Sequence, residues 1–129
     1  MANDRTAFQS RLFVTFLREA DDHVAAMPGL LDQLKQDPAG VEALRDLLRE
    51  VHSLKGAAGA AEQGQVEFLC QSLEQILIRI QRGDMMIDTR FFEVFYHGHA
   101  LLKQALPELA HGGNFAISLQ FLESVRKLI

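Results

Sequence analysis

The chain has 129 residues, of which 48% are hydrophobic, and it carries a formal net charge of −4. This length and composition suit one domain with a hydrophobic core, and they exclude an intrinsically disordered chain. Lysine and arginine are scattered among the acids without a basic patch, so we expect no nucleic-acid partner.

Cysteine content and hydropathy indicate the cellular compartment. Cys70 is the only cysteine, so an intrachain disulfide is impossible and a reducing environment is expected. No apolar run reaches the roughly 18 residues of a membrane span, and residues 1–4, Met-Ala-Asn-Asp, do not resemble a signal peptide. We therefore predict a cytoplasmic protein that has no membrane partner.

Apolar residues recur every three to four positions along most of the chain, which predicts helices. The first predicted helix covers residues 5–35, with apolar positions at Phe8, Leu12, Phe16, Leu17 and Val24. Pro28 interrupts this pattern, because proline lacks an N–H and clashes with the preceding turn. One kinked helix and two shorter helices both fit the pattern, and we predict the kinked single helix.

The second predicted helix begins at Asp37 as N-cap, with Pro38 in its first turn. It should end between residues 60 and 63, with Gly64 in the following turn. Five apolar positions define its inner side, and they are Val41, Leu44, Leu47, Leu48 and Val51.

Three more helices complete the pattern. The third covers about residues 65–81, and Gly83 ends it in the left-handed position that follows many helices. Asp88 can cap the fourth, whose apolar positions continue to Leu106, and a last helix covers about residues 114–129. No β-hairpin signal occurs. The sequence therefore predicts one all-α domain over residues 1–129: an antiparallel four-helix bundle, with its core at about residues 5–106, and an additional C-terminal helix.

One polar face stands out in the second helix. Lys55, Gly56 and Gly59 follow His52 by three, four and seven residues, so all four lie on one side of the helix. Each glycine inside a helix costs about 1 kcal/mol relative to alanine. We interpret this bare surface as one that lets another macromolecule bring a reactive group up to the imidazole.

Residues 52–56, His-Ser-Leu-Lys-Gly, resemble the His-x-Leu-Lys-Gly signature of histidine phosphotransfer (HPt) domains, including those that open CheA-type chemotaxis kinases. Residues 16–20, Phe-Leu-Arg-Glu-Ala, are similar to a segment of the first helix in such domains. Leu73 and Glu74 lie where the family places a Leu-Glu pair, and residues 82–84 lie at a family turn. The resemblance covers roughly residues 8–106.

This resemblance implies a phosphoryl carrier with His52 as the phosphoacceptor. A carboxylate bonded to one ring nitrogen would fix the tautomer, and Glu74 on the neighbouring antiparallel helix is the candidate. By the family pattern, Nδ1 would face Glu74 and Nε2 would carry the phosphoryl group. Lys55 would place its ammonium near the phosphoryl oxygens, and Gln71, one turn before Glu74, could also reach the imidazole or the phosphate. Many chemotaxis members carry a second histidine in place of Gln71, so the subtype stays open.

The chain has no glycine-rich nucleotide loop, so no ATP-dependent activity of its own is expected. The expected partners are a histidine kinase catalytic domain and the receiver domain of a response regulator. ATP and Mg²⁺ would be bound by those partners, and this chain would hold no cofactor. The domain should be monomeric by itself, whether it is a complete protein or a fragment of a histidine kinase, which is a transferase.

Two alternatives remain beside this interpretation. The first is an interaction module that keeps the fold without phosphorylation, although His52, Lys55 and Gly56 are all present. The second is a metal-binding helical bundle, but such proteins place two Glu-x-x-His pairs on facing helices, and this chain has a single match, at Glu108 and His111. His97 and His99 are two residues apart and do not share a helix face, so we predict no metal site.

Overall fold

The computed structural model describes residues 2–129, with side chains from residue 4 onward, and this part of the chain is helical without any strand. In chain order the helices are α1 (Ala2–Gln36), α2 (Val41–Ala60), α3 (Gly64–Gln81), α4 (Thr89–Ala110) and α5 (Leu119–Leu128). The predicted all-α class is confirmed. None of the described helices is long and apolar enough to cross a membrane.

The first helix is a single element that contains Pro28. The alternative of two separate helices is therefore wrong. Proline at position 28 provides no N–H for the carbonyl of Val24, four residues earlier. His99 of α4 compensates, because its Nε2 lies 3.1 Å from that carbonyl oxygen and donates to it. A side chain from a neighbouring helix thus satisfies the backbone group that the proline leaves free.

The predicted start of the second helix at Asp37 is wrong. The α2 helix begins at Val41 after Gly40, whereas the Asp37 N–H bonds to the carbonyl of Gln33 and still belongs to the end of α1. Asp37 instead closes the connecting turn: its carboxylate accepts from Ala39 N–H at 3.2 Å, and its carbonyl accepts from Gly40 N–H. The same oxygens that favour an N-cap also favour a turn, and here the turn prevails.

The turn between α2 and α3 also differs from the prediction, because Gly64 is the first residue of α3. The left-handed position after α2 is occupied by Glu62, with φ of 59°. By contrast, Gly83 takes φ of 82° after α3, as predicted. The N–H of Asp84 then donates to the carbonyl of Arg79, which completes a helix-ending motif with a left-handed glycine.

The fourth and fifth helices begin at side-chain caps. Asp88 caps α4 as predicted, accepting from Phe91 N–H at 3.1 Å. The last helix starts at Leu119, later than the predicted residue 114, because Ser118 provides the cap by accepting from Phe121 N–H.

The helices form an antiparallel bundle in which α2 lies between α1 and α3, while α4 packs against both α1 and α3. The fifth helix packs against α3 and α4 and buries Phe121 and Val125. Large apolar side chains from all five helices fill the core, among them Phe16, Leu31, Leu47, Leu54, Leu73, Phe91, Phe95 and Phe121. The predicted bundle with a packed C-terminal helix is confirmed.

Candidate functional site

His52 lies on the outer surface of α2, and its side chain is 68% exposed. The neighbouring residues Val51 and Leu54 are fully buried and fix the rotation of the helix about its axis. Side chains advance by about 100° per residue along a helix. Because Val51 and Leu54 point into the core, His52 points outward. The imidazole is therefore reachable by another protein.

Glu74 of α3 binds both nitrogen-bearing side chains of the predicted site, His52 and Lys55. Its Oε2 lies 2.5 Å from Nδ1 of His52, and its Oε1 lies 2.6 Å from Nζ of Lys55. Only 10% of the glutamate side chain is exposed. The antiparallel packing of α2 and α3 thus brings together His52, Lys55 and Glu74, three of the residues that the sequence singled out.

The electrostatics of this cluster determine the histidine tautomer. Burial by itself raises the pKa of Glu74, but hydrogen bonds from Lys55 and His52, together with their charges, outweigh burial and lower that pKa below its ordinary value. Glu74 is therefore an ionised acceptor at neutral pH, and Nδ1 of a neutral His52 must carry the proton that it donates. The lone pair of the imidazole then lies on Nε2.

Lys55 occupies a different position from the one expected for a mobile charge at the phosphoryl oxygens. Its ammonium is bound to Glu74, and the side chain is only 25% exposed. In this arrangement Lys55 keeps Glu74 ionised and orients its second oxygen toward His52. The predicted contact of Lys55 with a phosphoryl group stays a prediction.

The two glycines of this face have different surroundings. A Cβ atom built at Gly56 would meet nothing within 4 Å, so this position is open to a partner. At Gly59 the same atom would lie 2.6 Å from Oε2 of Glu67, whose side chain covers the glycine. Glu67 is exposed, and its side chain would have to move before a partner reached Gly59.

Gln71 lies on the exposed side of α3, one turn before Glu74. Among the hydrogen bonds of the described residues, none joins Gln71 to His52. The structure therefore places Gln71 one turn from Glu74 without a hydrogen bond to the imidazole, and its role stays a prediction.

Sequence reasoning missed a second histidine–carboxylate pair, formed by His23 of α1 and Glu50 of α2. Nδ1 of His23 lies 2.6 Å from Oε2 of Glu50, but the His23 side chain is only 24% exposed. The residues are 27 positions apart, and no local pattern connects them. Only the register of α1 against α2 brings them together.

His97 and His99 of α4 and the single cysteine, Cys70, each have different surroundings and do not form one cluster. His97 lies edge-on to Phe121 with ring centroids 5.4 Å apart, whereas His99 bonds to Val24. Burial raises the pKa of the Cys70 thiol to about 12, so it is an unreactive core residue. Within the described residues, no three His, Cys, Asp or Glu side chains are grouped in a way that could hold a metal ion.

Comparison with known proteins agrees with the resemblance noted in the sequence. The family model of the Hpt domain matches residues 11–112. The chain is similar to chemotaxis protein CheA of Halobacterium salinarum, with 26% identity over 115 residues, which cover 88% of this chain and 17% of the relative. It is also similar to CheA of Salmonella typhimurium, with 28% identity over 97 residues, 75% of this chain and 14% of the relative. With CheA of Bacillus subtilis the identity is 24% over 99 residues, 77% of this chain and 15% of the relative. The chain therefore spans less than a fifth of the length of these relatives.

Proposed function

Because this chain belongs to the Hpt domain family, we propose that it carries a phosphoryl group on Nε2 of His52. The group would come from a histidine kinase catalytic domain and pass to an aspartate of a receiver domain. The observation that supports this proposal best is the contact between the exposed imidazole of His52 and the ionised Glu74, at 2.5 Å.

The contact keeps the proton of a neutral His52 on Nδ1, so that Nε2 has a free lone pair and can act as the nucleophile without a further base. The Nε2 lone pair attacks the γ-phosphorus of ATP, a P–N bond forms, and the bond from phosphorus to the ADP oxygen breaks. The ring then becomes a phosphorylated cation that keeps its Nδ1 proton. Glu74 stabilises this charge, because it accepts the proton's hydrogen bond and is itself anionic.

Transfer to a receiver reverses this chemistry. An aspartate oxygen attacks the phosphorus, the P–N bond breaks, and its electron pair returns to Nε2. We propose that ATP is bound by the kinase and Mg²⁺ by the receiver's carboxylates, since such metal sites are built from oxygen ligands. The names of the relatives favour a chemotaxis pathway as the setting.

The test of this function uses ³¹P NMR of the chain treated with phosphoramidate, a small donor that needs no kinase. We expect a phosphohistidine signal from the unmodified chain and none from His52→Gln. His23→Gln is the matched control, because His23 also bonds to a glutamate but is mostly buried. It should keep the full signal, and both variants should remain helical by circular dichroism.

A signal that persists in His52→Gln would place the phosphoryl group elsewhere and refute the site. Loss of the signal in His23→Gln, with helicity unchanged, would point to the second pair instead. The labelled chain mixed with receiver domains should lose its signal as the phosphoryl group moves to aspartate.

A further inference from the structure

Lys55 is not free to orient a partner in this structure. Its ammonium is bound to Glu74 at 2.6 Å, and its side chain is mostly covered. A charge that is already neutralised by a neighbouring carboxylate contributes little to the approach of another protein. Exposed charges elsewhere around His52 are therefore better placed than Lys55 to orient a docking protein.

Two arginines lie on the N-terminal side of His52. Arg49 and Arg45 precede it by three and seven residues, about 4.5 and 10.5 Å along the helix axis, and share its exposed face. Among the described residues Arg45 joins no ion pair. Arg49 meets Asp46 at 3.6 Å, but this contact is long and both side chains are at least half exposed, so it neutralises Arg49 less than Glu74 neutralises Lys55. This end of the face is basic.

An acidic end lies on the other side of His52. The carboxylate of Glu67 covers Gly59, which follows His52 by seven residues, or about 10.5 Å along the axis. Within the described residues this carboxylate joins no ion pair. Glu62, in the adjacent turn, adds a second acid, and the hydrogen bonds that it accepts from Gln9 are long, at 3.3 and 3.4 Å.

We propose that these charges set the orientation of a receiver domain on His52. An acidic edge of the receiver faces Arg45 and Arg49, and a basic side chain of the receiver faces Glu67. The two ends are about 21 Å apart along α2, with His52 midway. Only one of the two opposite orientations of a partner along the helix therefore satisfies both ends. This inference rests on the proposed function.

The chemistry of the acceptor favours a receiver over a kinase. An aspartate that accepts a phosphoryl group with Mg²⁺ needs further carboxylates to hold the metal, so the reactive edge of a receiver is acidic. Arg49 lies one helical turn from His52, where it faces such an edge. A kinase site needs cations to hold the ATP phosphates, and those cations would repel Arg45 and Arg49.

The experiment measures phosphotransfer from the 129-residue chain, labelled at His52 with phosphoramidate. The acceptor is the receiver domain of the source organism that discharges the unmodified chain fastest. Arg45→Glu, Arg49→Glu and Glu67→Lys should each lower kcat/KM by roughly three- to tenfold at low ionic strength. The loss should shrink in high salt, where charges are screened within about 3 Å at 1 M.

Arg18→Glu and Asp32→Lys are the matched controls, since both residues are exposed on α1, away from this face. They should transfer at the unmodified rate. Unchanged rates in the three face variants, or equal losses in the controls, would overturn the inference. So would a labelled chain that no receiver discharges, or variants that slow only loading by a kinase. Failure of phosphoramidate to label His52 would instead contradict the proposed function, so the two failures are distinguishable.

Discussion

At the scale of single residues, the site depends on how Glu74 distributes its two oxygens. One oxygen accepts from His52 and the other from Lys55, at 2.5 and 2.6 Å. A mostly buried carboxylate is costly unless it is paired, so each partner stabilises the charge that the other needs. Lys55 therefore acts on His52 indirectly, by keeping Glu74 ionised and oriented.

This sharing predicts a pH dependence of stability. The folded-state pKa of Glu74 is lower than its ordinary value of 4.5. The stability that ionised Glu74 contributes to the folded state is therefore fully present above pH 4.5. It is lost as pH falls through the lower, folded-state pKa. Glu74→Gln should reduce the free energy of unfolding by about 1–3 kcal/mol at pH 7. This difference should shrink as pH falls below 4.5 toward the lower folded-state pKa, where the carboxylate of the folded, unmodified chain also becomes neutral.

Urea unfolding from pH 3 to pH 7 measures this difference directly. Glu93→Gln is a suitable control, because Glu93 is exposed on α4, and it should show no such trend. If Glu74→Gln lowers the free energy of unfolding by the same amount from pH 3 to pH 7, ionisation of Glu74 does not stabilise the fold.

At the scale of elements, a hydrogen bond to the backbone carbonyl of Val24 joins α1 and α4. Pro28 leaves this carbonyl without the N–H donor that it would have in a regular helix. The Val24 carbonyl receives the Nε2–H of His99 instead. Burial lowers the pKa of His99, against the opposing effect of this hydrogen bond. The neutral ring keeps its proton on Nε2, where the carbonyl needs it. A proline within a long helix is thus accommodated by the neighbouring helix.

A double-mutant cycle tests this link between α1 and α4. His99→Leu should reduce the free energy of unfolding by about 1–3 kcal/mol, because it leaves the Val24 carbonyl without a donor. In a Pro28→Ala background the N–H of residue 28 can bond to that carbonyl, so the same change should cost less. Thermal and urea unfolding of the four proteins gives the coupling. An equal cost in both backgrounds would show that His99 stabilises the protein by other contacts.

At the scale of the whole molecule, α5 is part of the core. A Cβ atom at Gly98 of α4 would lie 2.8 Å from Leu73 and 3.2 Å from Phe121. The absence of a side chain at Gly98 therefore lets α3, α4 and α5 meet closely. Leu73 is adjacent to Glu74 in α3, so this junction also supports the helix that positions the site.

Phe121→Ala should reduce the free energy of unfolding by about 3–5 kcal/mol, because Phe121 is fully buried and its removal leaves a cavity. Leu119→Ala in the same helix is the control. Its side chain is 82% exposed, so we expect a change within about 0.5 kcal/mol. Equal stabilities of the two variants in urea would indicate that α5 does not contribute to the cooperative fold.

Much of this architecture follows from local sequence patterns. Helical periodicity predicts the bundle and the packed last helix, and Gly83 and Asp88 mark the ends of elements as expected. The start of α2 was predicted wrongly at Asp37, because an aspartate before a proline suits an N-cap and a turn equally well. The choice depends on how far α1 extends, which the local sequence does not specify.

The sequence by itself determined that His52, Lys55 and Gly56 share one helix face, since spacing along a helix fixes their relative directions. The family resemblance pointed to Glu74 as the partner of His52, and tertiary structure decided the other contacts of the carboxylates around this site. Glu74 binds both His52 and Lys55, Glu67 covers Gly59, and Glu50 pairs with His23. These contacts join different helices, and their register is set by the packing of the whole core, which no short stretch of sequence encodes.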